Sequence, residues 1–182
     1  MTQHLRQLIS RLTATALVGL LLLGIGFQTS PALAAIRPLE EGPGQVVYQA
    51  RQTLTDQHGH RWQAIAFKRI RSDQSEILYL RLAGFPGSAV IDRTQPLTFT
   101  SSLGQTLTAA DVSSQMFTDA ERPEPHIGQY DLQPIVAQLH PELPWQLTLA
   151  TTTQPLILAL PAAAIQDWQT LAQVQLDSPA IP

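Results

Sequence analysis

The sequence predicts an α+β fold on a mainly antiparallel β-sheet. It should have about seven short strands, two or three short helices and a C-terminal helix packed on the sheet. Three observations carry this expectation. Stretches of period-two alternation follow one another through short connections between Val46 and Gly84, which is how a meander begins. Strand and helix patterns do not alternate along the chain, which argues against βαβ units and a parallel sheet. One apolar stripe at helical spacing, Ile165, Trp168, Leu171 and Ala172, lies near the C-terminus, as in a helix laid on a sheet.

Taken in order, residues 35–45 hold Pro38, Gly42, Pro43 and Gly44 and read as an irregular leader. VVYQARQTLT alternates, with Val46, Tyr48, Ala50 and Leu54 on one face and Gln49, Arg51 and Thr53 on the other, so it reads as a half-buried strand. DQHG is a turn, HRWQAIAFKRIR the second strand, and EILYLRLAG the third, with Leu78, Leu80 and Leu82 inward. GFPGSAVIDRTQP breaks the pattern with a sharp turn. PLTFT and QTLTA form a hairpin about Ser101–Gly104, and AADVSSQMF reads as a short helix. Residues 118–129 form a long surface loop, and YDLQPIVAQL a short helix capped by Asp131. WQLTLA alternates, whereas PLILAL is continuously apolar, as in a central strand covered on both faces. Pro161 then opens the last helix. The expected organisation is a domain over 46–176 and a tail over 177–182.

The first 34 residues stand apart. Arg6 and Arg11 precede an apolar run from Leu12 to Phe27, and Ala32-Leu33-Ala34 supplies small residues at a cleavage site, the pattern of a secretory signal peptide. The expected product is an exported, soluble chain with no transmembrane helix left after cleavage near Ala34. Among its 182 residues the chain has no cysteine, which removes disulfides, thiol catalysis and thiolate metal sites. After Ala34 there are nine basic residues against 14 acids, a net of −5. Residues 51–93 carry seven of those bases, whereas residues 94–182 carry only Arg122 against eight acids. A charge-polarised, acidic molecule follows, and it is not a nucleic-acid binder.

Few residues suggest chemistry. Asp56, His58 and His60 alternate and would share a face of an extended strand, where two imidazoles and a carboxylate suit zinc. Asp first and Gly fourth are instead the signature of a turn completed by a left-handed glycine, and Ser101-Ser102-Leu103-Gly104 repeats that grammar without a ligand. The turn is favoured over the metal. Glu121, Glu124 and His126 in the long loop are a second weak metal candidate. No nucleophile elbow, phosphate loop, dinucleotide fingerprint or H-E-x-x-H occurs, and no cofactor is called for. The surface most worth testing is a basic strip of Lys68, Arg69, Arg71 and Arg81, suited to anionic headgroups or an acidic protein, with Phe85 of GFPG as either a plug or an exposed contact. The competing reading pairs the strip with Glu76 and Asp73.

LTDQHGHRWQAIAFKR, LRLAGFPGS, GQYDL and a closing strand-helix ending in DWQ occur in an order that resembles a cyanobacterial family of exported proteins, domain of unknown function 3122. The resemblance runs from about Gly44 to Trp168. It implies a cyanobacterial source and export to the periplasm or thylakoid lumen. It carries over no activity and no site residue, and it does not attach a fixed histidine pair to the positions of His58 and His60. The expectation is a non-enzymatic accessory or binding module at a membrane, engaging a protein or membrane-surface partner. A metal-dependent hydrolase built on the 118–129 loop and a small-ligand carrier are the alternatives.

Overall fold

The computed structural model describes residues 37–42, 45–71, 73, 75–116 and 124–175. Nine strands and one α-helix occur among them: β1 Arg37–Gly42, β2 Gln45–Thr55, β3 Arg61–Arg71, β4 Glu76–Ala83, β5 Leu97–Ser101, β6 Thr106–Ala109, β7 Ile127–Asp131, β8 Trp145–Leu149, β9 Leu156–Leu160 and α1 Ala162–Gln173. They form two antiparallel sheets, ordered β1-β2-β3-β4-β7 and β6-β5-β8-β9. The antiparallel α+β expectation therefore holds, with the strands divided between two sheets.

Both sheets turn their apolar positions to one core. Ala50, Leu54, Trp62, Ala64, Leu80 and Leu82 from the first sheet meet Phe99, Trp145, Leu147, Leu149 and Leu158 from the second. The helix adds Ile165, Trp168 and Leu171 from its buried stripe. All three tryptophans are buried here. Large aromatic surfaces contribute most per residue to such a core, on the order of 25 cal/mol per Å² removed from water.

Five local expectations are corrected. The supposed leader contains β1, because its backbone finds a partner in β2, with Arg37 opposite Gln49 and Leu39 opposite Val47. The end of the supposed 118–129 loop is β7, which pairs with β4 so that Tyr130 sits opposite Leu80. The loop's residues 118–123 lie outside the described residues. Asp131 ends β7 instead of capping an α-helix; its carboxylate accepts the Gln133 amide at 3.1 Å, and only a 3-10 turn, Val136–Gln138, follows. AADVSSQMF likewise holds a 3-10 turn, Ser113–Gln115. Finally, β9 is an edge strand, not a central one. Leu156, Leu158 and Leu160 point inward while Ile157 and Ala159 face out, so its apolar run reflects outward residues that happen to be apolar.

Candidate functional site

The DQHGH turn is built around Asp56. The Asp56 amide donates to the His60 carbonyl and the Gly59 amide to the Asp56 carbonyl, both at 3.0 Å, with Gly59 at φ 84°. Ser101 and Gly104 repeat these bonds with the Gln105 carbonyl at 2.9 Å and Gly104 at φ 82°. The Asp56 carboxylate is fully occupied. Oδ1 accepts the His58 and His60 amides at 2.9 Å, and Oδ2 accepts the Trp62 indole at 3.2 Å, with His60 Nδ1 also at 3.2 Å. Burial pushes this carboxyl up, but donation from the His60 amide, the Trp62 indole and the His58 amide outweighs it and holds the group below its ordinary value. The His58 ring turns aside to Gln154. Asp56, His58 and His60 thus make a tied hairpin end whose carboxylate serves N–H donors.

Two members of the second candidate cluster, Glu124 and His126, are described. Glu121 lies outside the described residues. His126 is buried at 7% exposure, with Nδ1 3.7 Å from Glu124 Oε2, and its carbonyl accepts the Gly84 amide. Among the described residues no group of three or more His, Asp or Glu side chains is arranged to hold a metal ion.

The four cations of the expected basic strip do not share one face. Residues of β3 alternate across the first sheet, so Lys68 faces inward, opposite to Arg69. Lys68 is 3% exposed; its ammonium donates to the Ala172 carbonyl at 2.8 Å and the Val174 carbonyl at 2.6 Å, and meets Glu76 Oε2 at 2.9 Å. Lys68 is therefore removed from the strip, and its pairing with Glu76 follows the competing reading. Asp73 accepts the Ser75 amide. Arg71 is exposed at the end of β3.

On the outer face, Arg69 and Arg81 come together over an aromatic floor. Their guanidinium carbons lie 5.9 and 5.3 Å from the Phe67 ring centroid, within cation–π range. Tyr79 meets Phe67 edge-to-face, with centroids 6.0 Å apart. The guanidinium of Arg81 is held by Gln129 Oε1, at 2.8 Å from Nη2. Gln129 is positioned in turn, since its amide donates to Ser113 Oγ at 2.9 Å and that hydroxyl donates to Asp111 Oδ2 at 2.8 Å. A hollow of about 210 Å³ results, walled by Val47, Gln49 and Arg51 of β2, Ile65, Phe67 and Arg69 of β3, and Arg81 of β4. Such a site can hold an anionic group against arginines while an apolar surface excludes water.

Phe85 is exposed, at 77%, and is not a plug. Residues the sequence reading did not assign to the site are Arg51, Ile65, Phe67 and Gln129. The first three were within reach of the alternation, since Ile65 and Phe67 share the parity of Arg69. Gln129 was not, because the segment that forms the start of β7 reads as loop in the sequence.

Fold and hollow together define a small two-sheet β protein with a cationic, aromatic-floored groove on one sheet. The chain belongs to the family described as Protein of unknown function (DUF3122), whose model matches residues 34–171. No curated protein and no solved structure matches it.

Proposed function

We propose that this protein is a non-enzymatic accessory or binding module on the exported side of a membrane, in the periplasm or thylakoid lumen, which holds an anionic partner on the outer face of its five-stranded sheet. The observation that carries this reading is the hollow where Arg51, Arg69 and Arg81 surround Phe67. The signal-like residues 1–34 and the resemblance to a cyanobacterial exported family support the location. Among the described residues no helix is long and apolar enough to cross a membrane. Carboxylates and phosphates are the groups that guanidinium forks recognise best. Arg51 and Arg71 are exposed, so reversing their charge leaves the core untouched.

The test is an Arg51→Glu/Arg71→Glu chain expressed in its native cell. It should lose co-fractionation with membranes or partner complexes, while its melting temperature stays within about 2 °C of the parent, as exposed substitutions allow. Unaltered co-fractionation would sink the proposal.

A further inference from the structure

A second hollow, of about 450 Å³, is lined by Arg61, Gln63, Ala83, Gly84, Phe85 and Pro86. None of these residues walls the hollow over Phe67. Small-molecule sites occupy about 300–1,000 Å³, so this one has room for a single compact ligand. Each wall has a structural cause. Arg61 and Gln63 flank Trp62 on β3, and because that indole is buried in the core, alternation turns both neighbours outward. The Gln63 amide nitrogen is tied to Thr53 Oγ1 at 2.9 Å. Ala83 stands opposite Gln63, and its small side chain leaves the space beside it open. The ring of Phe85 is displayed by a fixed turn. The Gly84 amide donates to the His126 carbonyl at 3.0 Å, and the Ser88 amide to the Phe85 carbonyl at 2.9 Å. Pro86 and Gly87 stand between Phe85 and Ser88, with Gly87 at φ 81°. Proline second and a left-handed glycine third define a type II turn, whose backbone has little freedom. Phe85 is thus 77% exposed on a rigid support, where it adds little to the core. Arg61 is the charged residue among the described ones that line the hollow. It is exposed, and its guanidinium makes no hydrogen bond or ion pair among the described residues. Of the carboxylates on adjoining elements, Asp56 turns to the Trp62 indole and the turn amides, and Glu124 Oε2 lies 3.7 Å from His126 Nδ1. Neither lines the hollow.

We infer that this hollow is a binding site for a small amphipathic carboxylate, an acid whose body is an aromatic ring or another compact apolar group. The body lies against Ala83, Phe85 and Pro86, and the carboxylate faces the fork of Arg61. Charge complementarity selects an anion, because the lining offers an unengaged guanidinium and no acid. A carboxylate matches that fork in both plane and charge. Concavity selects a small molecule over a membrane, since a flat lipid layer would rest on the rim and leave the space beneath unfilled. The site shares no residue with the hollow over Phe67, so it stands apart from the binding-module reading above.

Titration of the full chain with naphthoate, naphthylmethanol and naphthylmethylammonium, followed by backbone amide chemical shifts, tests this. The probes share one apolar body and differ in charge. Naphthoate should shift the amides of Arg61, Gln63, Gly84 and Phe85 and saturate with a Kd on the order of 1 mM or tighter, as befits so small a ligand. It should bind about tenfold more tightly than the alcohol, and the ammonium should bind more weakly still. Arg61→Gln should bring naphthoate level with the alcohol and leave the alcohol's own affinity unchanged, a charge-specific loss that a disturbed fold does not produce. Phe85→Ala should weaken all the probes by about fivefold. Both side chains are exposed, and unchanged melting confirms that the variants fold. No saturating shift, equal affinity for the three probes, or naphthoate binding indifferent to Arg61→Gln overturns the inference. So does naphthoate binding that Arg51→Glu abolishes and Arg61→Gln spares, which puts the anion over Phe67 instead. Sedimentation with phosphatidylglycerol–phosphatidylcholine vesicles that Phe85→Ala abolishes, with no naphthoate shift, assigns Phe85 to a lipid surface and overturns it too. If naphthoate does not bind but Arg51→Glu/Arg71→Glu still loses retention in cells, this site falls and the binding-module reading stands. If naphthoate binds as described and retention is unaffected, the carboxylate site stands and the binding-module reading falls.

Discussion

Asp56 shows how much one carboxylate can organise. It closes a turn and anchors the indole of Trp62, a core residue. Asp56→Ala leaves that indole N–H and two turn amides without their acceptor, and should cost about 2–4 kcal/mol in denaturant unfolding. The pH dependence follows from its lowered carboxyl. The folded value lies below the ordinary 3.8, so this stabilisation is complete above that pH and is lost as pH falls through the folded value. The acid limb of a stability–pH curve should therefore be shallower in Asp56→Ala. Gly84 makes a second residue-level case. A Cβ there would stand 2.6 Å from Ser88 Oγ and 2.9 Å from Trp62 Cη2. The hydroxyl can rotate away, but the indole is packed, so Gly84→Ala should cost about 1–3 kcal/mol, read as a lowered unfolding midpoint with unchanged slope. The turn at Asp56 was legible in the sequence because turn grammar is local and occurs twice. The bond from Trp62 was not, since it depends on how tightly the hairpin closes.

At the scale of elements, the helix is secured by a strand. The ammonium of Lys68 holds the carbonyls that end α1, which the helix itself cannot satisfy. Lys68→Ala should destabilise the fold by about 2–4 kcal/mol, since it strands buried acceptors. Amide exchange should rise first near Ala172 to Val174, ahead of the strands, and uniform loss of protection would contradict this. Alternation along β3 already separated Lys68 from Arg69 by face, so its exclusion from the basic strip was readable. Its pairing with Glu76 was readable too, but its bonds to the Ala172 and Val174 carbonyls were not, because these lie about a hundred residues away in sequence. The strands β1 and β7 were hidden for a related reason. Their short, proline- and glycine-flanked segments are extended because β2 and β4 offer ladders, not because their own patterns demand it.

For the whole molecule, hairpins between neighbours were legible and the division into two sheets was not. The meander β2-β3-β4 follows from short connections, whereas β4–β7 and β5–β8 join strands separated by long intervening segments. No local pattern states which distant strand will be accepted. The groove inherits this split. Its β2 and β3 walls could be read from parity, but the Gln129 support for Arg81 required knowing that β7 lies beside β4. The prediction that belongs at this scale is the separation of binding from stability in Arg51→Glu/Arg71→Glu, because the groove and the core occupy opposite faces of the same sheet. A melting temperature that falls in step with retention would show that the two faces are not independent.

The turn after β2 also reaches the other sheet. Gln57 gives its amide to the Ile157 carbonyl at 3.0 Å, accepts the Ile157 amide on Oε1 at 2.7 Å, and donates Nε2 to the Pro155 carbonyl at 3.1 Å. One glutamine thus occupies the rim of β9 where another chain's backbone would otherwise dock. Its role is colloidal as much as structural, because an unoccupied strand rim invites intermolecular pairing. Gln57→Ala should remain folded yet self-associate as concentration rises, visible as a growing sedimentation coefficient in analytical ultracentrifugation, and a strictly monomeric variant would show that the rim is guarded by something else.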